Sequence, residues 1–191
     1  MIRAFIAVEL PEEVRRQAAA LGAKLQEAGA DVKWVEPANL HLTLKFLRVL
    51  EESRLEPLKE RLGEAAGKLS RFSIRLEGSG AFPEAAHPRV IWVGVSEGKE
   101  LLAQAAQAVS EACAALGFPP EERPFAPHLT IGRVRSPRRI SALAQRLRAT
   151  RFPCGSPAAV DRLTLFRSDL SPQGPIYQRM AELPLRTSAQ R

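Results

Sequence analysis

The sequence predicts an α+β fold in which one strand-helix-strand unit is used twice about a pseudo-two-fold axis. Three observations predict it. Strand-like alternation and helix-like apolar stripes follow one another in the same order in both halves. A shift of 87 residues matches the halves without a gap, setting Phe5 on Trp92, Val8 on Val95, Val14 on Leu101, Ala18 on Ala105, Leu42 on Leu129 and Leu44 on Ile131. The same shift sets His41 on His128 and Thr43 on Thr130.

Each element has a local reason. Residues 2–9 alternate Ile2, Ala4, Ile6 and Val8 against Arg3, Phe5, Ala7 and Glu9, as a strand does. Pro11 opens a helix, where its missing N–H costs nothing. Val14, Ala18, Leu21, Leu25 and Ala28 stripe one face of it, and Gly29 closes it. A second strand is expected over residues 40–47. Ser53 is placed to cap a second helix with Leu55, Leu58, Leu62, Ala65 and Leu69 inward. Strands are expected at 71–77 and 89–95, joined by a loop holding Gly78, Gly80, Pro83 and Pro88.

The second half repeats the order. Leu102, Ala105, Val109, Cys113 and Leu116 stripe a third helix closed by Gly117. Pro119, Pro120 and Pro124 mark a loop before a strand at 127–134. A helix over 137–149 buries Ile140, Leu143, Ala144 and Leu147 and turns Arg138, Arg139 and Arg146 outward. Strands at 159–167 and 175–184 close the chain around the turn Ser171-Pro172-Gln173-Gly174. No linker separates the repeats, about 1–80 and 88–184, so residues 1–191 are read as a single domain.

Composition narrows the classes. The 191 residues are 45% apolar and 26% charged, a globular balance. Apolar runs such as Val90-Ile91-Trp92-Val93 are strand-sized, and none approaches the roughly 20 residues of a membrane span. The N-terminus turns acidic too soon for a signal peptide, so a cytoplasmic location is expected. Cys113 and Cys154 alone make no disulfide framework. The formal charge of +7 is concentrated: Arg133, Arg135, Arg138, Arg139, Arg146, Arg148 and Arg151 lie in one stretch without Asp or Glu, and the remainder sums to zero. Such a patch suits a polyanionic partner or a solvated helix face.

The chemistry sits in the repeated string His41-Leu42-Thr43-Leu44 and His128-Leu129-Thr130-Ile131. Alternation puts His41 with Thr43, and His128 with Thr130, on one face of each strand. The pseudo-symmetry is expected to bring both faces to one cleft. Two imidazoles there can take a proton from an attacking oxygen and give one to a leaving oxygen near neutral pH. Each threonine hydroxyl can donate to a phosphate oxygen. With three histidines, no His-x-x-x-His and no cysteine cluster, no metal or other cofactor is expected. His87, in a turn and without a threonine partner, is read as an exposed loop residue.

Other residues flank the motif. Strict alternation sets Arg133 opposite His128 and Thr130, so it reaches the cleft only if the strand ends, twists or bulges near Gly132. Lys45 shares the face of His41 and Thr43, as a substrate contact or a rim residue. Phe5 and Trp92 are candidates for stacking on a base, or core residues; Phe46 shares the core face of Leu42 and Leu44.

The chain resembles the two-histidine phosphoesterases, and within them the RNA 2′,3′-cyclic phosphodiesterases once called 2′-5′ RNA ligases. The resemblance spans nearly the whole chain. It rests on Arg3-Ala4-Phe5-Ile6-Ala7-Val8, on Trp34-Val35 and Asn39-Leu40 leading into His41-Leu42-Thr43-Leu44-Lys45-Phe46-Leu47, and on Phe125-Ala126-Pro127-His128-Leu129-Thr130-Ile131-Gly132-Arg133. It departs at Arg48, where family members commonly carry Gly. The resemblance implies a bilobal fold whose antiparallel sheets flank a central cleft, with helices outside. It implies hydrolysis of a terminal 2′,3′-cyclic phosphate to a 2′-phosphate. It makes His41 the proton donor to the leaving 3′ oxygen and His128 the proton acceptor. Thr43, Thr130 and Arg133 would hold the phosphate. The partner would be RNA with a cyclic end, or a small cyclic nucleotide, with no membrane and no obligate protein partner. Two other readings stand beside it: 2′-5′ ligation at the same site, and a non-catalytic RNA-binding module.

Overall fold

The computed structural model describes residues 1–172 and 174–187. Gln173, inside the expected turn, lies outside the described residues. The elements run β1 (Ala4–Glu9), α1 (Glu12–Gln26), β2 (Val32–Trp34), β3 (His41–Phe46), α2 (Leu55–Lys68), β4 (Phe72–Phe82), β5 (Val90–Glu97), α3 (Lys99–Ala114), β6 (His128–Val134), α4 (Ile140–Ala149), β7 (Ala158–Val160), β8 (Arg162–Ser171) and β9 (Gly174–Pro184). They form two antiparallel sheets, ordered β3-β1-β8-β9 and β2-β6-β5-β4-β7.

The helices cross between the repeats. α1, which follows β1 of the first sheet, packs against β6 of the second sheet and against α4. α3, which follows β5 of the second sheet, packs against β3 of the first and against α2. The buried face of α1 is Val14, Ala18, Leu21 and Leu25, and that of α3 is Leu102, Ala105, Val109 and Cys113. The first helix of each repeat therefore packs on the His-x-Thr strand of the other. One continuous apolar core holds Ile6 and Leu42 from the first sheet together with Ile91 and Leu129 from the second. Burial on this scale, at about 25 cal/mol per Å² of apolar surface, holds the lobes in register.

β1 is buried on both faces. Ala4, Ile6 and Val8 enter the common core. Phe5 and Ala7 face the other way and pack with Phe166 and Tyr177 in a separate small cluster. This second face of the sheet is the floor of the cleft.

Five expectations are corrected. Gly78 and Gly80 lie inside β4 rather than in a loop. The pairing with β5 shifts between Leu76 and Ser79, around Gly78 with its φ of +72°. At Gly80 a Cβ would stand 2.4 Å from Trp92 Cζ2, so only glycine lets that ring lie across the strand. Ser53 does not cap α2: it sits in a single 3-10 turn over Glu52–Arg54, and the helix begins at Leu55 without a side-chain cap. The fourth helix starts at Ile140 because Arg139 takes a left-handed φ of 53°. The strand expected at 159–167 is two strands. Ala158–Val160 pairs with β4 in the second sheet, and Arg162–Ser171 pairs with β1 in the first, with the chain crossing at Asp161. β2 has no counterpart among the expected strands; its three residues are too few for a pattern, and it exists by pairing with β6.

Candidate active site

β3 and β6 approach one another where the sheets meet. Each carries one irregularity, at the same place in the repeat. Ile6 pairs with Lys45 and Ala7 with Thr43, so Leu44 is an extra residue in β3. Ile91 pairs with Gly132 and Trp92 with Thr130, so Ile131 is an extra residue in β6. Leu44 and Ile131 are equivalent under the 87-residue shift. A bulge reverses which face each later side chain takes.

The bulges decide three placements. Arg133 comes to the cleft side: it is exposed, and its charge acts on His41 and Tyr177 of the opposite sheet. Lys45 turns away from the cleft, contrary to expectation. It is 2% exposed, and its Nζ donates to the carbonyl of Pro119 at 2.7 Å, beside α3. It therefore has no surface to offer a substrate. Phe46, expected in the core, is 53% exposed on the cleft side.

The two histidines are held alike. His41 Nδ1 lies 2.7 Å from the carbonyl oxygen of Asn39, and His128 Nδ1 lies 2.7 Å from that of Ala126. Asn39 and Ala126 are again equivalent under the shift. A carbonyl only accepts, so Nδ1 carries hydrogen and donates in both rings. This leaves each Nε2 free to take or give a proton.

Aromatic packing fixes the ring planes. His41 stacks on Phe5 at 4.7 Å and 26°, and meets the edge of Tyr177 at 5.3 Å and 84°. His128 meets Phe82 edge-on at 5.0 Å and 85°, and Phe82 in turn packs on Trp92 at 5.4 Å. Phe5 is 2% exposed and lies behind His41. Trp92 lies across Gly80 and pairs with Thr130. Both expected stacking residues thus sit in the cleft floor, beneath the site rather than at its opening.

The hydroxyls of Thr43 and Thr130 and the guanidinium of Arg133 have no hydrogen-bond or ion-pair partner among the described residues. Glu9 faces His41 across the β1–β3 ladder. Its carboxylate accepts from Arg179 and Thr164, and these bonds, Arg179 foremost, hold its pKa below the ordinary carboxylate value despite partial burial. Burial lowers the His41 pKa. The Asn39 carbonyl opposes that shift, Arg133 adds to it, and Glu9 opposes it weakly. Among the described residues, no three His, Cys, Asp or Glu side chains gather as a metal-ligand set. No helix there is long and apolar enough to cross a membrane.

Sequence reasoning misses Tyr177 and Phe82. Tyr177 reaches the site only through the pairing of β9 with β8, which no spacing encodes. Phe82 falls in a segment that reads as loop. Its signal is the Gly80–Trp92 contact, which needs the register of β4 on β5. His87 lies in a turn, exposed, with Nδ1 2.8 Å from Glu84.

Two imidazoles whose Nδ1 atoms are committed to carbonyls, with two hydroxyls and a guanidinium that have no partner among the described residues, form a set able to transfer protons and to hold an anionic oxygen. The chain belongs to the 2′-5′ RNA ligase superfamily, the two-histidine phosphoesterases, whose family model matches residues 5–172. A relative from Methanothermobacter thermautotrophicus, named RNA 2′,3′-cyclic phosphodiesterase, is 36% identical over 94% of this chain and 96% of its own length. One of the same name from Thermotoga maritima is 36% identical over 95% of this chain and 94% of its own. Among solved structures, a Thermus thermophilus protein superposes with a TM-score of 0.79 at 31% identity, covering 98% of this chain and 100% of that one. Escherichia coli LigT superposes with a TM-score of 0.77 at 27% identity, covering 97% and 98%. The two antiparallel sheets and outer helices are the fold of these neighbours.

Proposed function

We propose that this chain hydrolyses RNA 2′,3′-cyclic phosphate ends to 2′-phosphomonoesters by two-histidine acid–base catalysis that needs no metal. The carrying observation is the matched pair of Nδ1–carbonyl bonds, which leaves two Nε2 atoms for proton transfer. Relatives at 33–37% identity carry the name of this activity.

In this reading His128 Nε2 takes a proton from water as its oxygen bonds to phosphorus. The P–O3′ bond breaks, and His41 Nε2 gives its proton to O3′. Thr43, Thr130 and Arg133 bear the charge that develops on the non-bridging oxygens. Burial favours neutral His41 in the free protein. An anionic phosphate against the ring favours the imidazolium the donor role requires. The same geometry accepts a 5′-hydroxyl in place of water, which is 2′-5′ ligation. The full chain of 191 residues acts as one unit in this proposal, in the cytoplasm, on RNA or small cyclic nucleotides.

The test is incubation with a cyclic-phosphate oligonucleotide in excess chelator. A 2′-phosphate product from the wild type, and none from H41A or H128A, is expected. A chelator-sensitive reaction, or turnover surviving in the double variant, overturns the mechanism. Tight, salt-dependent RNA binding without turnover would make the chain a binding module. An added 5′-hydroxyl strand separates hydrolysis from ligation.

A further inference from the structure

Beside His41 a cavity of about 290 Å³ opens, its lining including Arg3, Phe5, Phe46, Arg48, Glu121 and Tyr177. It joins the catalytic cleft through Tyr177. That phenol lies 5.3 Å from the His41 ring centre and feels the charges of both Arg133 and Arg3. Tyr177 thus stands between the proposed phosphate ligand and the cavity. Phe46 reaches the cavity because of the β3 bulge and presents an open aromatic surface there.

The charge of the cavity is unspent. Neither Arg3 nor Arg48 has a side-chain hydrogen bond or ion pair among the described residues, although the Glu121 carboxylate lines the same cavity. Arg48 follows β3 by two residues, and Arg3 precedes β1 by one. The β1–β3 pairing, which continues outward as Leu47 N–H to Ala4 O at 2.8 Å, brings them to one end of the sheet. Two unpaired guanidiniums about an aromatic wall are suited to a phosphodiester with its base attached.

We infer that Arg3 and Arg48 bind the phosphodiester on the 5′ side of the terminal nucleotide, so that the site selects RNA ends over cyclic mononucleotides. This rests on the proposed cyclic-phosphate chemistry. With the terminal ribose held by its 2′ and 3′ oxygens at the two histidines, its 5′ side is the next charged group of the substrate. The cavity is the adjoining space that offers positive charge for it. The terminal base lies on Phe46 and the Tyr177 side.

The experiment compares kcat/KM for a 2′,3′-cyclic mononucleotide lacking a 5′ phosphate with that for a dinucleotide ending in the cyclic phosphate. The wild type is expected to prefer the dinucleotide. R48A and the double variant R3A/R48A should lower dinucleotide kcat/KM roughly fivefold to tenfold through KM, the loss expected of a charged hydrogen bond near solvent. Mononucleotide turnover should change much less. Equal losses on both substrates, or no loss on either, overturn the inference. Failure of the wild type on both substrates counts against the hydrolase reading alone. In that case titration with the dinucleotide ending in a 2′-phosphate decides the subsite: weaker binding in R3A/R48A supports it, and equal binding overturns it. Both arginines are exposed, so the variants are expected to fold.

Discussion

Phe46 and Arg133 occupy the same position of the two repeats, and both reach the cleft because an extra residue precedes them in their strands. The extra residues are Leu44 and Ile131. Without the bulges the ladder would send both side chains into the core, where an arginine without a partner is costly. The same backbone device serves two ends. In one repeat it presents an aromatic surface, and in the other a charge.

Arg133 is the only charged side chain of the motif strands brought to the cleft face. Arg133→Ala should lower kcat/KM by about 10²-fold, the loss typical of removing one donor to a charged transition state. Arg133→Lys should recover part of it, since charge is kept but the planar fork is not. Steady-state kinetics on a cyclic-phosphate substrate measures both. A change under about threefold would remove Arg133 from the phosphate site.

The outcome shows how far the residues alone can be read. The apolar stripes of α1 and α3 and the alternation of β1 are local, and they stand in the fold as expected except for Leu116, which lies beyond the end of α3. The duplicated His-x-Thr strings are legible because two copies at one spacing exceed chance. The faces of Lys45 and Phe46 are not legible. Alternation decides a face only while the ladder is regular, and a bulge is set by the partner strand. Tyr177 and Phe82 are out of reach for the same reason: each acts through a neighbour distant in sequence.

His41 should titrate below the ordinary histidine value of about 6.5 in the free protein, because burial outweighs the carbonyl and Glu9. Histidine resonances followed by NMR against pH check this, and inorganic phosphate should move the titration upward. Stability carries the matching sign. The unfolded chain binds a proton at this residue more readily than the folded one, so stability rises with pH until the unfolded value is passed. The cost is present in full below the folded pKa and fades as pH rises through about 6.5. His41→Gln should flatten that part of a Tm-against-pH curve. An unchanged slope would place its origin elsewhere.

Phe5 and Phe82 pack on the two catalytic candidates with different burial. Phe5 is wholly enclosed, so Phe5→Ala should cost about 3–5 kcal/mol of stability as well as activity. Phe82 is 36% exposed, so Phe82→Ala should cost about 1 kcal/mol or less. It should nonetheless lower kcat with little change in KM, because the His128 ring loses its edge contact. Phe82→Tyr, which keeps the ring, should restore kcat. Denaturant melts beside kinetics separate the two effects. A Phe82→Ala enzyme with normal kcat would show that the Ala126 carbonyl alone orients His128.

The basic stretch divides at the end of β6. Arg133 belongs to the cleft, whereas Arg138 and Arg139 precede α4, in the helix layer that α1 and α4 form over the second sheet. Arg146 is already paired with Glu27 at 2.7 Å and donates to the carbonyl of Lys24. Arg138 and Arg139 lie beyond the far end of β6, about 20 Å from His128 at roughly 3.3 Å per residue. A cyclic mononucleotide cannot span that distance. At about 3.4 Å of rise per nucleotide, a strand of roughly six can. R138A/R139A should therefore leave turnover of a mononucleotide or dinucleotide unchanged. It should raise KM only for longer RNA, and the increase should shrink as salt rises, because surface charge is screened within about 10 Å at 0.1 M. A KM increase that appears already with the dinucleotide would place these arginines at the cleft. No increase at any length would make them a solvated helix end.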